Sequence, residues 1–497
     1  MKRMDWTHCT PEEAGISSGA IAAFLDRLAT CETEPHGLMM LRSGKLFFST
    51  WWKPYRSDLV HGLQSLTKTF SGTAIGLLIT EGKLSLDTKV VSLFPNQVPE
   101  EAGEYLRRMT VRDVLCMGTG MEAATPATDH WVEDFFQTPV LHPPGTAFYY
   151  NNPGSNLLAE IVRRVSGESM MNYLERCLFP YIGIEPGSIS CLTLPNGTEV
   201  GGGGMCARLE DCVRLMQLYM NDGVAQNRQV LSPEWVRLST SCQNAAPNPN
   251  GIRDCQQGYG FQMWRCSYPG AFRADGAMGQ YVVCFPDKSL IIAIHETASY
   301  PTGVQQVLDA MYDVLLPAVK DHPLQESPEA TEQLRRRAES LSCPAPFTTI
   351  SSQNMDRSWC GQYQIKEGRI PWVPAVTWMV TGKSYPDIQM ISFQRESQWT
   401  LTMETTGGIF RIVLPEKGKV AETVLPGIFP YDQALVQTCV TAKNRLEMDI
   451  RYIQTCYHVR FCFTLEKDVL RIQTNMADLL PVNEEAIAYR WPKEEIG

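Results

Sequence analysis

One apolar segment, Gln64–Gly82 (QSLTKTFSGTAIGLLITEG), limits the folds open to this chain more than any other. Phe70, Ala74, Ile75, Leu77 and Leu78 recur at the spacing of a buried or half-buried helix, and Glu81-Gly82 is a natural end for it. Ser65 and Lys68 stand at its head. Three residues apart on a helix they share one face, a turn apart. The helix start adds unpaired N–H groups and positive potential. A serine there, beside a cation, loses its proton more easily and has a developing anion stabilised. Ser65 therefore reads as a nucleophile and Lys68 as its activating partner. The competing reading is a chance Ser-x-x-Lys in a long chain, so the pair needs support from elsewhere.

Length and composition narrow the classes. A chain of 497 residues holds a large core and more than one domain. Its net charge of −10 argues against a nucleic-acid backbone or an anionic membrane as partner. No apolar run reaches the ~18–20 residues of a membrane helix. The opening MKRMDWTHCTPEEAG has no apolar core and does not read as a signal peptide, so a cytoplasmic location is expected. The sixteen cysteines then read as thiols rather than disulfides. They form no C-x-x-C pair, and no H-E-x-x-H occurs. Cys206 with Cys212, and Cys456 with Cys462, lie too far from histidines for a zinc pattern, so no metal is expected.

Along the chain, 11–30 reads as a capped amphipathic helix and His36–Pro54 as a hairpin around Ser-Gly-Lys. Asn151–Gly167 is a helix with Leu157, Leu158, Ile161, Val162 and Val165 on one face. Gly201–Gly204 lacks the Gly-Lys-Ser/Thr ending of a phosphate loop and reads as close-packed backbone leading into a helix at Leu209–Tyr219. Tyr281–Phe285 and Ser289–His295 form a second hairpin, and Leu308–Leu316 a closing helix. Residues 319–346 are polar and charged with a helical middle, and read as a linker. From about Phe347 onward period-2 segments such as IQMISFQ, WTLTMETT, RLEMDIRYI and YHVRFCFTL predict an antiparallel sheet or small barrel. The expected domains are 1–318, mixed α/β, and 347–497, all-β.

Two later sites support Ser65. Tyr150-Asn151-Asn152 opens the Asn151–Gly167 helix. A tyrosine near a lysine can have its phenol pKa lowered and then shuttle the serine proton. Asn152 can hydrogen-bond an amide substrate or Lys68. The alternative for this pair is a capped helix start. The second site is Ala274-Asp275-Gly276-Ala277, before the YVVCF strand, where small residues let a strand edge approach a substrate. The Ala277 N–H can pair with that of Ser65 as an oxyanion hole; the alternative is a plain glycine turn.

The order Ser65-Leu-Thr-Lys68, Tyr150-Asn-Asn152 and then a glycine-containing strand resembles the serine β-lactamase-like hydrolases. Within them it resembles the class C β-lactamase, D-aminopeptidase and family VIII esterase branch. PEEAGIS, AIGLLITEGKLSLD, VRDVLCMGTG, PPGTAFYYNN and ADGAMGQYVVCFPDKSLIIAIHE carry the resemblance through roughly residues 10–318. It implies an α/β (α+β) fold, an antiparallel sheet flanked by helices with a helical subdomain around Tyr150, and an appended barrel-like domain. It implies Ser65 as acylated nucleophile, Lys68 and Tyr150 as the proton-transfer pair, Asn152 as a positioning residue, and no cofactor. The G-x-S-x-G elbow of α/β-hydrolases is absent. The family's third motif starts with Lys or His, where this chain has Ala274; Arg273 and Asp275 flank it but alternate to the other face. Recognition of a substrate carboxylate is thereby weakened. The expected activity is hydrolysis of a small or short-peptide amide or ester, with a weak β-lactamase or a non-catalytic binding protein as alternatives. The oligomeric state is left open.

Overall fold

The structure is a computed structural model; it describes residues 4–122, 128–245, 251–347, 355–370, 387–415, 419–425, 433–477 and 482–491. The chain divides into two units, one ending at Cys343 and the other starting at Pro344.

In the first unit the apolar runs become a seven-stranded sheet. Its strands are β1 (Thr7–His8), β2 (Thr33–Arg42), β3 (Lys45–Trp51), β4 (Trp264–Arg265), β5 (Phe272–Gly276), β6 (Gln280–Phe285) and β7 (Leu290–Ala298). They lie in the order β1-β3-β2-β7-β6-β5-β4 and pair antiparallel, except β1 with β3. Both faces are covered, which explains why the strands read as continuous apolar runs. Leu38, Met40, Val283, Ile292 and Ile294 point to one side, against Phe24 and Leu28 of α1 (Ser18–Leu28). Met39, Leu41, Val282, Cys284, Ile291 and Ala293 point to the other, into the core shared by α2 (Thr67–Thr80), α3 (Asn152–Ser166) and α4 (Leu209–Met220).

Helix α2 is the pillar of that second layer. Every residue from Thr67 to Leu78 is buried. Thr73 hydrogen-bonds Tyr219 Oη at 2.8 Å, and Trp235 packs where Gly76 has no side chain. Helix α3 is capped by Asn151, whose Oδ1 accepts the Gly154 N–H at 2.8 Å, and ends on Gly167 in the left-handed region. The first helix is shorter than its expected span because Pro11–Gly15 form turns before the Ser17 cap.

The stretch 319–346, expected as a linker, holds helix α6 (Pro328–Glu339), numbered after α5 (Thr302–Ala310). Leu334 and Leu341 are buried in the same cluster as Phe24 and Leu28, and Arg337 donates to Asp26 at 3.2 Å. The polar composition belongs to the outer face of α6, while its inner face closes the first core. Leu334→Ala is therefore expected to destabilise the first unit by about 2–4 kcal/mol. Denaturant unfolding of the full chain checks this, and a tether would show no change.

The second unit is a ten-stranded antiparallel sheet: β8 (Gly361–Gly368), β9 (Ile388–Arg395), β10 (Trp399–Thr405), β11 (Gly408–Leu414), β12 (Ala421–Val424), β13 (Gln433–Ala442), β14 (Arg445–Tyr452), β15 (His458–Glu466), β16 (Val469–Ala477) and β17 (Val482–Arg490). The order is β11-β10-β9-β8-β17-β16-β15-β14-β13-β12. The two ends approach each other, Thr438 Oγ1 donating to the Pro415 carbonyl at 3.0 Å, so the sheet curls into a nearly closed barrel. Inward residues such as Ile391, Phe393, Met448, Phe461, Phe463 and Ile472 are fully buried. Among the described residues no helix is long and apolar enough to cross a membrane.

Candidate active site

Ser65 sits in a 3₁₀ turn, Gln64–Leu66, that runs directly into α2. Gln64 takes φ +51°, so the chain enters the turn through the left-handed region and rotates Ser65 to the head of the helix. On the strand side, Gly276 of β5 lies against this turn. A Cβ at Gly276 would run into the Leu63 carbonyl oxygen, so only glycine permits this approach.

Lys68 lies one turn along, buried, and its Nζ donates to Ser65 Oγ at 2.9 Å. Its other partner is the Gly202 carbonyl. Burial lowers its pKa from the ordinary value to about 7, against an opposing pull from the Asp275 carboxylate. A buried ammonium with one carboxylate in reach but not in contact is poised to exist as the free amine near neutral pH.

The glycine run makes this possible. Ser71 Oγ donates to the Gly201 carbonyl at 2.8 Å, and the Gly202 N–H donates to Asn156 Oδ1 at 2.8 Å. A side chain at Gly201 would meet Ser155 and Ser71. The expected close-packed backbone is present, and it does more than pack: it brings a carbonyl to Lys68. No reading of the sequence pointed to that role, because the contribution comes from a main-chain atom.

Tyr150 reaches the same oxygen. It hydrogen-bonds Ser65, and Lys68 Nζ stands 4.8 Å from its ring centroid. The ring is stacked on Trp264 (centroids 5.7 Å apart, 12° between planes) and meets Tyr259 edge-on. The expected lowering of its phenol pKa is reversed. Burial pushes it up, and neither the Ser65 hydrogen bond nor Arg273 offsets that. The phenol is held protonated, and the group that titrates near neutrality is the amine.

Asn152 begins α3 with its side chain exposed. The buried, capping member of the pair is Asn151, which also donates to Thr119. Among the described residues Lys68 has no hydrogen bond to Asn152, whose side chain is left to solvent or substrate. Ala274 is fully buried in the core with Leu63 and Leu66 and presents no polar group. Ala277 lies in the tight turn between β5 and β6, where Met278 and Gly279 take positive φ.

Arg273 and Asp275 do alternate away from Ala274, yet that face is the one the site uses. Arg273 Nε donates to Asp275 Oδ2 at 2.8 Å, and its guanidinium lies over Trp264. Its Nη1 donates to the carbonyls of Asp254 and Arg265. Burial raises the Asp275 pKa, and Arg273 opposes it. The Asp275 charge is felt by both Lys68 and Tyr150. A guanidinium so committed holds the wall behind Tyr150 rather than a substrate carboxylate.

The chain is similar to known proteins in sequence and in fold. A sequence-family profile described as Beta-lactamase matches residues 34–315. The chain is 24% identical over 284 residues to the 6-aminohexanoate-dimer hydrolase of Paenarthrobacter ureafaciens, covering 52% of this chain and 71% of that one. It is 23% identical over 288 residues to the lovastatin esterase of Penicillium rubens, covering 44% and 69%. A solved structure from Bacteroides dorei, provisionally named as a β-lactamase, superposes with a TM-score of 0.51 at 16% identity, covering 60% of this chain and 98% of that one. At that identity the likeness speaks for the fold alone.

Proposed function

Because the chain belongs to the Beta-lactamase family across residues 34–315, we propose that it is a serine hydrolase. It acts through an acyl-enzyme on a small or short-peptide amide or ester. The observation that carries the reading is the buried Lys68 amine, with a pKa near 7, at 2.9 Å from Ser65 Oγ.

In this reading Ser65 Oγ attacks the substrate carbonyl and passes its proton to the Lys68 amine. The oxyanion is held by the N–H groups of Ser65 and Ala277. Tyr150, kept protonated, gives its proton to the leaving group and recovers one from Lys68. Water then attacks the acyl-enzyme, and Ser65 regains its proton. The relatives named as a hydrolase of the 6-aminohexanoate dimer and as an esterase support an amide or ester substrate. With Ala274 apolar and Arg273 occupied, a substrate without a carboxylate at that end is favoured over penicillins.

The test is the intact mass of the folded protein after exposure to a broad fluorophosphonate, with peptide mapping of the product. One adduct on Ser65 is expected. A folded protein that takes up none would sink the proposal in favour of a binding protein on the same scaffold.

A further inference from the structure

A second cluster lies in the first unit, on strand β2. Glu34 and His36 stand on β2, two residues apart, and Cys343 joins them from the end of the unit. One carboxylate oxygen, one imidazole nitrogen and the thiol sulfur all lie within 4.8 Å of one another. We propose that Glu34, His36 and Cys343 bind one zinc-type divalent cation that clamps the end of the first unit onto β2.

Each ligand is placed by a separate feature. The β2–β7 register shifts between His295, opposite Gly37, and Glu296, opposite Pro35, which leaves His36 as the extra residue of a bulge. A bulge re-aims a side chain, and His36 is turned into the cluster, nearly fully buried. Cys343 is fixed by its backbone: its N–H donates to the Lys53 carbonyl at 2.8 Å, just beyond β3.

The imidazole is also oriented by a relay. The Gly62 carbonyl only accepts, so the His61 Nδ1 that lies 3.0 Å from it carries the hydrogen. With His61 in its neutral form, its Nε2 accepts from His36 Nδ1, 3.0 Å away. His36 Nε2 then faces the Glu34 carboxylate at 3.5 Å and the Thr297 hydroxyl at 3.3 Å, and a cation bound between nitrogen and carboxylate would replace any proton they share. A histidine ligand held through its other nitrogen is the usual outer support of a metal site.

The donor set suits the ion. Ligand atoms around tetrahedral zinc sit about 3.3–3.6 Å apart given its bond lengths, so the His36–Glu34 pair already has the separation needed. A carboxylate and a thiolate together balance a divalent charge, and nitrogen with sulfur selects zinc or cobalt over magnesium or calcium. Glu34 and Cys343 are partly exposed, which gives the ion an entry path and water a fourth position. No spacing motif announced this site, since 308 residues separate Cys343 from Pro35.

The clamp has a consequence for the first unit. His61 and Gly62 pair with Ala207 and Cys206, and three residues later the chain reaches Ser65. The ion would thus stiffen the strand that delivers the nucleophile without touching substrate.

The experiment uses the full chain, stripped with a chelator and titrated with Co²⁺. Wild type is expected to bind one equivalent with a thiolate-to-cobalt charge-transfer band. Cys343→Ser should abolish the band, and Glu34→Gln should weaken affinity at least tenfold, with Zn²⁺ displacing Co²⁺ in competition. The other fifteen cysteines are the internal control. If wild type takes up no cobalt, or if Cys343→Ser binds it with the same band and affinity, the proposal fails. Should Cys343→Ser not fold by circular dichroism, Glu34→Gln decides: unchanged affinity overturns the site.

Discussion

Ser65→Ala is expected to lower kcat for an activated ester by about 10⁴–10⁶-fold while leaving the thermal midpoint within a few degrees of wild type. The loss is large because the step removed is the covalent one. Lys68 and Tyr150 both interact with Ser65, so neither has a nucleophile to serve once its oxygen is gone. The fold should tolerate the change, since alanine suits the 3₁₀ turn and Lys68 keeps the Gly202 carbonyl. Because the three groups act as a unit, Ser65→Ala combined with Lys68→Met should be no slower than Ser65→Ala alone. Steady-state kinetics of the singles and the double check both statements. Multiplicative losses would mean that Lys68 acts on some step other than activating Ser65.

What could be read from the sequence follows from how far apart the cooperating residues lie. Ser65 and Lys68 share one helix face, so their spacing alone brought them together, and the hairpins were visible in their turn residues. The second unit was visible wherever large residues alternate, as in Phe461 and Phe463. It was not visible in β17, where the inward positions are Ala486 and Ala488, or in β13, where Thr438 and Cys439 interrupt the alternation. In 319–346 the helical middle was legible, but its polar composition made it read as a linker; a single buried leucine, Leu334, was too thin a signal that the helix closes a core. At the site, the unread contributions come from main-chain atoms and distant strands. Gly202 reaches Lys68 across 134 residues, and Trp264 sets the plane of Tyr150. The tyrosine pKa was misjudged because proximity to a cation was weighed without the burial that dominates both groups.

Lys68→Met is expected to remove about 10²–10⁴-fold of kcat/KM and yet to make the protein more stable at neutral pH. The two effects have one cause. Burial lowers the Lys68 pKa from 10.5 to about 7, so between those values the unfolded chain carries a proton there that the folded chain does not. Stability rises with pH wherever the unfolded state binds more protons. The lysine therefore costs the fold on the order of 4–5 kcal/mol below about pH 7, and the cost fades as pH approaches the unfolded value. Methionine of similar length has no such cost, but it leaves the Gly202 carbonyl without its donor, worth about 1–3 kcal/mol. The balance favours the variant by roughly 2 kcal/mol at pH 7, falls by about 1.4 kcal/mol per pH unit on going alkaline, and changes sign at about pH 9. In parallel, the rise of wild-type kcat/KM with a midpoint near pH 7 should vanish from the variant's residual activity. Urea unfolding of both proteins at pH 7, 8.5 and 10 reads the stability arm. Equal stability offsets at all three values would show that the lysine is charged in the folded state, and the amine could not then be the base that takes the Ser65 proton.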